Sequence, residues 1–341
     1  MSEPSGDQRS LPSISFIVPT RDEESHIATC IESLLGQDYP PELIEVLVVD
    51  GRSADRTREI VGSYCASDPR VHLLDNPKRT TPVAFNLGMA AAESDVLSIV
   101  SAHSRTDKGF ARLVASIFES TDAELIGGMS VAVPGTDTST ARGICRAMGS
   151  PFGLGNARYH YAETPGWVDT AYPSAYRRTL VDKIGYFDEE LIRNQDDDYH
   201  LRASQAGLRM WYDPRLRAEY FSRKTYAALW RQFFDYGYWR AFTAAKHRAV
   251  AAPRHLVPGL LVLWLGALPF ALPSRVLRRV WGGGVAAYAG FLVFAGAREA
   301  RQTAPKDVPR FVAAIAVMHT SYGSGFWKGA AQVARTARHR A

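Results

Sequence analysis

Four short runs of branched aliphatic residues, each halted by polar or charged residues, organise the first hundred positions: "SISFIVPT", "IEVLVVDGRS", "VHLLDN" and "DVLSIVSAHS". Continuous apolar runs of that length suit strands covered on both faces. Between them the pattern changes to helical spacing. "EESHIATCIESLLGQ" puts Ile27, Cys30, Ile31, Leu34 and Leu35 on one side of a helix, and "ADRTREIVGSYCA" and "AFNLGMAAAES" supply two more. Strands that alternate with helices need parallel crossover units, so an α/β fold on a doubly wound sheet is expected. Ligands of such sheets bind beyond the carboxyl ends of the strands. That rule marks Pro19-Thr20-Arg21-Asp22, Asp50-Gly51 and Ser101-Ala102-His103 as mouth-lining loops.

From about residue 120 to 222 the pattern is mixed, with "ELIGGMSVAV", "GWVDTAYPSAYRR" and "LRMWYDPRLRAEYFSR" as short strands or loops. A hydrophobic content of 46% with 22% charged residues excludes wholesale disorder. Cys30, Cys65 and Cys145 are too few and scattered for a disulfide framework or a zinc site, and read as reduced, buried thiols. Residues 1–12 lack the apolar core of a signal peptide and read as a flexible tail.

Beyond Arg240 basic residues dominate and three uncharged runs appear: 255–272, 280–297 and 311–327. Each reaches only the lower limit for spanning a bilayer. Their basic flanks (Arg254; Arg275, Arg278 and Arg279; Arg298, Arg301, Lys306 and Arg310; then Arg335, Arg338 and Arg340) suit anionic headgroups. Both ends of each run are basic, so charge gives no orientation. Buried helices of a soluble domain are the alternative. Residues 241–341 are therefore expected to be a membrane-associated helical region. Basic residues flank apolar runs rather than forming a stripe with exposed aromatics, which disfavours nucleic acid as a partner.

The ordered set "SFIVPTRDEE", "IEVLVVDGRSADRTREIV", "NPKRTTPVAFNLGMAAA", "SPFGLGNARY", "FDEELIRNQDDDYHLRASQAG" and "RQFFDYGYW" resembles the family 2 glycosyltransferases of the GT-A fold. More narrowly, it resembles the ExoA-like group of succinoglycan biosynthesis, which also carries apolar C-terminal helices. The resemblance runs from about residue 13 to 327 and implies a GT-A domain over 13–240. It further implies an inverting transfer of a hexose from a nucleotide-diphosphate sugar, usually UDP-linked, to a lipid-linked or growing polysaccharide acceptor. The catalytic domain would face the cytoplasm from the cell membrane. Two rivals remain: polyprenyl-phosphate glycosyl transfer, which needs no strong base, and a non-catalytic sugar-nucleotide-binding relative.

Onto this sequence the resemblance carries Pro19, Thr20 and Glu23 as nucleotide-binding residues, with Glu23 near the base. Glu23 serves equally as a helix N-terminal cap, since an acid there complements the helix dipole. Asp50 falls where the family binds ribose or uracil, although it can also cap the following helix. Arg79, beside Lys78, can hold the diphosphate in bidentate fashion or stand in a solvated loop. Ser101-Ala102-His103 replaces the family's Asp-x-Asp, so the first carboxylate is absent. A divalent metal, Mn²⁺ or Mg²⁺, is thereby in doubt: hard cations prefer carboxylate oxygen, and His103 suits a transition metal better.

Three carboxylates in a row, Asp196, Asp197 and Asp198, precede a helical stretch. Capping explains one or two acids there but does not require three. The resemblance places Asp196 at the catalytic base, which takes the acceptor's proton, with Gln195 in place of the family's glutamate. Neighbouring acids raise the proton affinity of that base. Asp198 is expected as a cap or an acceptor contact. Gln232 and Trp239 loosely match the Gln-x-x-Arg-Trp signature of processive relatives, without its Arg in register. Aromatics there suit either a sugar face or a membrane interface.

Overall fold

The structure, a computed structural model, describes residues 11–155, 158–170, 172, 174–247, 255–302 and 304–340. Residues 1–10 of the expected tail, and Arg254 among the basic flanks, lie outside the described residues.

β1 (Ile14–Thr20), α1 (Ile27–Leu35), β2 (Ile44–Asp50), α2 (Thr57–Ser67), β3 (Val71–Asp75), α3 (Thr81–Ala91) and β4 (Val96–Ile99) alternate as the sequence predicts. β1 pairs in parallel with β2 and β4, and β2 in parallel with β3. Ile14, Phe16, Ile17 and Val18 of β1 are fully buried, each contributing about 1.5–3 kcal/mol through removal from water. α1 turns Ile27, Cys30, Ile31 and Leu34 onto the same core. Gly88 lets α3 lie directly on Ile17; a methyl group at that position would overlap the Ile17 side chain.

The middle of the chain contains β5 (Ser104–Thr106), α4 (Phe110–Ser120), β6 (Leu125–Pro134), α5 (Ser139–Met148), α6 (Pro151–Leu154), β7 (Gly166–Val168), β8 (Ser174–Arg177), α7 (Thr179–Ile184), α8 (Gln195–Gln205) and β9 (Met210–Ser222). β8 runs antiparallel to both β4 and β6, so the sheet is mixed. Its order is β3-β2-β1-β4-β8-β6-β9-β5, with β7 paired to β9. The helix α4 is absent from the sequence reading, yet it buries Phe110, Ala111, Val114, Ala115, Ile117 and Phe118.

After β9 come α9 (Tyr226–His247), α10 (Val257–Gly266), α11 (Leu268–Ala271), α12 (Arg275–Glu299) and α13 (Val308–Arg340). Among the described helices, α12 is long and apolar enough to cross a membrane by length and composition. The run 255–272 is divided between the short helices α10 and α11. Pro258 and Pro269 each stand in a first helical turn, where a missing N–H is tolerated. The run 311–327 lies in α13, which buries Phe311, Ala314, Ile315, Met318 and Ser321. α10 and α12 are joined by a reciprocal pair: Trp264 Nε1 donates to Trp281 O at 3.1 Å, and Trp281 Nε1 to Trp264 O at 2.8 Å. Val257, Leu260, Phe270, Val276 and Val293 are each more than 60% exposed on these helices.

The chain forms two compact units. The first comprises Met1–Met129, Thr164–Phe187 and Arg202–Ala218; the second comprises Ser130–Glu163, Asp188–Leu201 and Glu219–Ala341. The first is centred on the core around β1, β2 and α1, the second on Ile144, Leu229, Phe233, Phe311 and Met318.

Candidate active site

In the first unit, strand register aligns Thr20 with Asp50 and Asp50 with Asp75 at the carboxyl ends of β1, β2 and β3. The loops that follow are stitched together. Asp22 N donates to Ser53 Oγ at 2.9 Å, Glu23 N to Thr57 Oγ1 at 2.8 Å and Glu24 N to Asp55 Oδ2 at 3.0 Å. In return Asp22 Oδ1 accepts from Ala54 N at 2.7 Å, and Glu24 Oε2 from Arg56 N at 3.1 Å. The acids of "RDEE" thus fix the loop after β1 to the loop after β2.

Three non-glycine residues in these loops have a left-handed backbone: Asp22 (φ 53°), Arg52 (φ 57°) and Arg79 (φ 59°). Such a conformation is costly for a side chain with a Cβ, and strain of this kind gathers at binding sites. At Arg52 and Arg79 no sequence signal announced it, because Arg carries no turn preference. Arg21 and the Arg79 backbone both approach Gly51, so the three loops converge there.

Glu23 reaches His103: Oε1 lies 2.9 Å from Nδ1, with both side chains 22% exposed. Ser101 Oγ lies 3.1 Å from His103 Nε2, and the Ser101 N–H donates to Tyr172 Oη at 3.0 Å. Glu23, Ser101 and His103 therefore form one cluster. Pro19 is half-buried in β1, and Thr20, 5% exposed, donates its hydroxyl to Val18 O at 3.0 Å. Asp50 is fully buried; its oxygens accept from Ser53 Oγ at 2.5 Å, Ser53 N at 3.1 Å and Arg58 Nη1 at 2.7 Å. Arg58 also reaches Asp75 at 3.3 Å, so it ties the ends of β2 and β3. The Arg79 side chain is exposed, and the Arg79 backbone N–H donates to Asn76 Oδ1 at 3.1 Å. Cys30, behind this cluster, has its thiol pushed up to about 12 by burial and then by the Glu23 charge. It remains a protonated core residue.

The same residues decide what cation could be held. Among the described residues no group of three or more His, Cys, Asp or Glu side chains gathers as metal ligands. Glu23 is the carboxylate here, and it is already bonded to the His103 ring. One engaged carboxylate, one imidazole and a serine hydroxyl do not fit a protein-held Mg²⁺ or Mn²⁺.

The remaining candidates belong to the second unit. Asn194 (φ 57°) turns the chain into α8 and donates Nδ2 to Tyr236 O on α9 at 3.0 Å. The three acids then occupy the first helical turn, where backbone N–H groups favour negative charge. Asp196 Oδ1 accepts from Asp197 N at 3.0 Å. Asp196 is reachable by solvent yet densely surrounded by protein, and its carboxyl is pushed up to about 6. Removal from water is the larger cause and the Asp197 charge the next; the Arg240 cation opposes both. Asp197 is gripped by Arg240, Nη2 to Oδ2 at 2.5 Å. Asp198 is fully buried and bonds His247 Nε2 at 2.7 Å and Lys246 Nζ at 2.8 Å, which ties α8 to the end of α9. Gln195 Oε1 is buried with no protein donor among the described residues.

Gln232, 9% exposed, donates Nε2 to Tyr220 Oη at 3.0 Å and Tyr236 Oη at 2.9 Å, and accepts from Arg223 Nε at 3.3 Å. Trp239 packs edge-on to Tyr238 and against Phe242, with ring centroids 5.6 and 5.1 Å away.

Residues 15–185 match the model of glycosyl transferase family 2. The chain is a family 2 glycosyltransferase. It is similar to the succinoglycan biosynthesis protein ExoA of Rhizobium meliloti (strain 1021), with 29% identity over 95% of this chain and 97% of that one. Its fold is GT-A-like. A mannosyltransferase from Pyrobaculum calidifontis, solved with GDP-Man and Mn²⁺, has a TM-score of 0.58 at 20% identity, covering 95% of this chain and 90% of the other. TarS of S. aureus, solved with UDP, has a TM-score of 0.51 at 18% identity over 92% of this chain and 90% of that one.

Two residues of this glycosyltransferase, Arg240 and Tyr159, escaped the sequence reading. Arg240 follows Trp239 directly, so a search for Arg in the Gln-x-x-Arg-Trp register passes over it. Tyr159 lies close enough to Asp197 and Asp196 for their charges, after burial, to push its phenol well up. The matching signal was the Tyr ending "SPFGLGNARY", which carried family likeness without a role.

Proposed function

We propose that this glycosyltransferase moves a hexose from a nucleotide-diphosphate sugar, UDP-linked, to a hydroxyl of a lipid-linked or growing polysaccharide acceptor, inverting the anomeric centre. The observation that carries the reading is Asp196: a solvent-reachable carboxylate at a helix N-terminus whose proton affinity is raised toward neutral pH. A base works best with its pKa near the operating pH. As the acceptor oxygen attacks C1, its proton passes to Asp196. The bond from C1 to the diphosphate oxygen breaks, and the nucleoside diphosphate leaves with that electron pair.

On this reading Pro19, Thr20, Glu23 and Ser101 line the nucleotide site, Asp50 shapes it through Ser53 and Arg58, and Arg79 meets the diphosphate. Asp198 anchors α8, while Gln232 and Trp239 support the acceptor side. The donor assignment is supported by UDP and UDP-GlcNAc in the solved forms of S. aureus TarS. An exopolysaccharide acceptor is supported by the likeness to ExoA. The hydroxyl, imidazole and engaged carboxylate around the Ser101–His103 loop are a poor ligand set for a protein-held Mn²⁺ or Mg²⁺.

Membrane attachment through α10–α12, with the catalytic residues on the cytoplasmic side, belongs to the same proposal. Exposed apolar side chains, the Trp264–Trp281 pair and Arg275, Arg278 and Arg279 at the start of α12 support it. The test is nucleotide release by detergent-solubilised protein offered UDP-, GDP- and dTDP-hexoses with a lipid-linked glycan extract. Release that depends on both the UDP-sugar and the extract supports the reading; release with no sugar transferred contradicts it.

A further inference from the structure

Arg240 occupies a place that stability alone does not explain. It is 7% exposed within α9 and spends one N–H group on Asp197. Its Nε and Nη1 are buried, and Tyr322 of α13 lies against the guanidinium as a hydrogen-bond partner. A buried guanidinium is expensive to desolvate, and an apolar side chain of similar volume is often at least as stable in such a position. Gly237, one turn earlier, brings α9 against the backbone of Tyr322, which holds this part of the helix rigidly. The guanidinium is thus fixed beside the acids at the start of α8.

The consequence falls on Asp196. Asp196 and Asp197 are adjacent, joined by the 3.0 Å bond from Asp197 N to Asp196 Oδ1. Two uncompensated carboxylates so placed cannot both ionise readily at neutral pH. Tyr159, Asp197, Tyr236 and Arg240 face Asp196, and Arg193 acts on Tyr236. The two phenols stay neutral, because burial and then charge push Tyr159 well up, and burial takes Tyr236 to about 12. Arg193 is exposed to solvent, which screens its charge. Asp197 and Arg240 are left as the charges that matter, and they are locked to each other.

We propose that Arg240 is a positioning residue for sugar transfer: clamped on Asp197, it cancels that neighbour's charge and so sets the readiness of Asp196 to give up and take a proton. The proposal rests on Asp196 being the base.

The experiment is an infrared titration of the whole detergent-solubilised protein from about pH 4 to about pH 8. It follows the carboxyl C=O band that disappears in D196N. R240M should raise the midpoint of that band by about one pH unit, D197N should lower it by a similar amount, and R240K should hold it near the wild-type value. Midpoints unmoved in both R240M and D197N would overturn the proposal, whatever happens to the melting temperature. If R240M does not fold, R240Q takes its place and is held to the same upward shift. Failure of the base reading looks different: D196N would keep its turnover, whereas failure here leaves D196N inactive and the midpoint fixed.

Discussion

Glu23 Oε1 stands 2.9 Å from His103 Nδ1, joining the loops that follow β1 and β4 across eighty residues of sequence. The pair shapes one wall of the proposed nucleotide site, so its two members should act together. E23A and H103A are each expected to weaken UDP binding about fivefold to tenfold by calorimetry. The double variant should lose little more than the worse single one, since contacting residues are not additive. Fully additive losses would mean that the pair does not function as one element.

Ser101 leaves its loop short of a carboxylate, which gives a direct test of cation use. Wild-type transfer is expected to respond weakly to chelation. S101D should make transfer respond to Mn²⁺ more strongly than the wild type does, by supplying the missing carboxylate oxygen. Metal titrations of nucleotide release check both statements, and identical curves for the two proteins would remove the loop from any cation site.

Arg79 holds a left-handed backbone that glycine adopts without strain. R79G is expected to melt higher, by about 0.5–1 kcal/mol of stability, while binding UDP about tenfold more weakly. R79A should lose the affinity without the gain. A more stable R79G that keeps full affinity would assign Arg79 to the turn alone.

The alternating half of the fold was readable from sequence because parallel strands buried on both faces leave long aliphatic runs. β1, β2, β4 and the buried face of α1 are cases in point. α4 was missed although it is strongly two-sided: it follows the short strand β5, and no aliphatic run announces it. The C-terminal runs looked alike by composition but have different surroundings. α12 keeps most of its apolar surface exposed, while α13 turns Phe311, Ile315 and Met318 into the core of the second unit. Composition counts apolar residues and cannot say what covers them.

At the site, the order of motifs picked out Glu23, Ser101, His103 and Asp196 as residues. It did not reveal that Glu23 bonds His103, or that Asp50 and Asp198 have their oxygens engaged inside the protein. Those partners come from elements far apart in sequence. His103 for Glu23 and His247 for Asp198 are examples, whereas Arg58 is local to Asp50 and its link depends on how α2 sits at the strand ends.

Asp196 predicts two pH dependences of opposite sense. Its carboxyl is raised from 3.8 to about 6, so the free base is lost, and kcat/KM should fall, as pH drops through about 6. For stability the sign reverses. The folded state binds this proton more tightly than the unfolded chain, so the contribution is complete below about pH 4 and disappears as pH rises through about 6. D196N should therefore gain melting temperature relative to wild type at pH 7 and not at pH 4. Paired melts at the two pH values read this directly.

The central claim is that Asp196 removes the acceptor's proton, and turnover of D196N tests it most directly when measured beside UDP binding on the same preparation. The account predicts sugar transfer reduced by at least about a thousandfold with UDP affinity within about twofold of wild type. Transfer by D196N at the wild-type rate would contradict it.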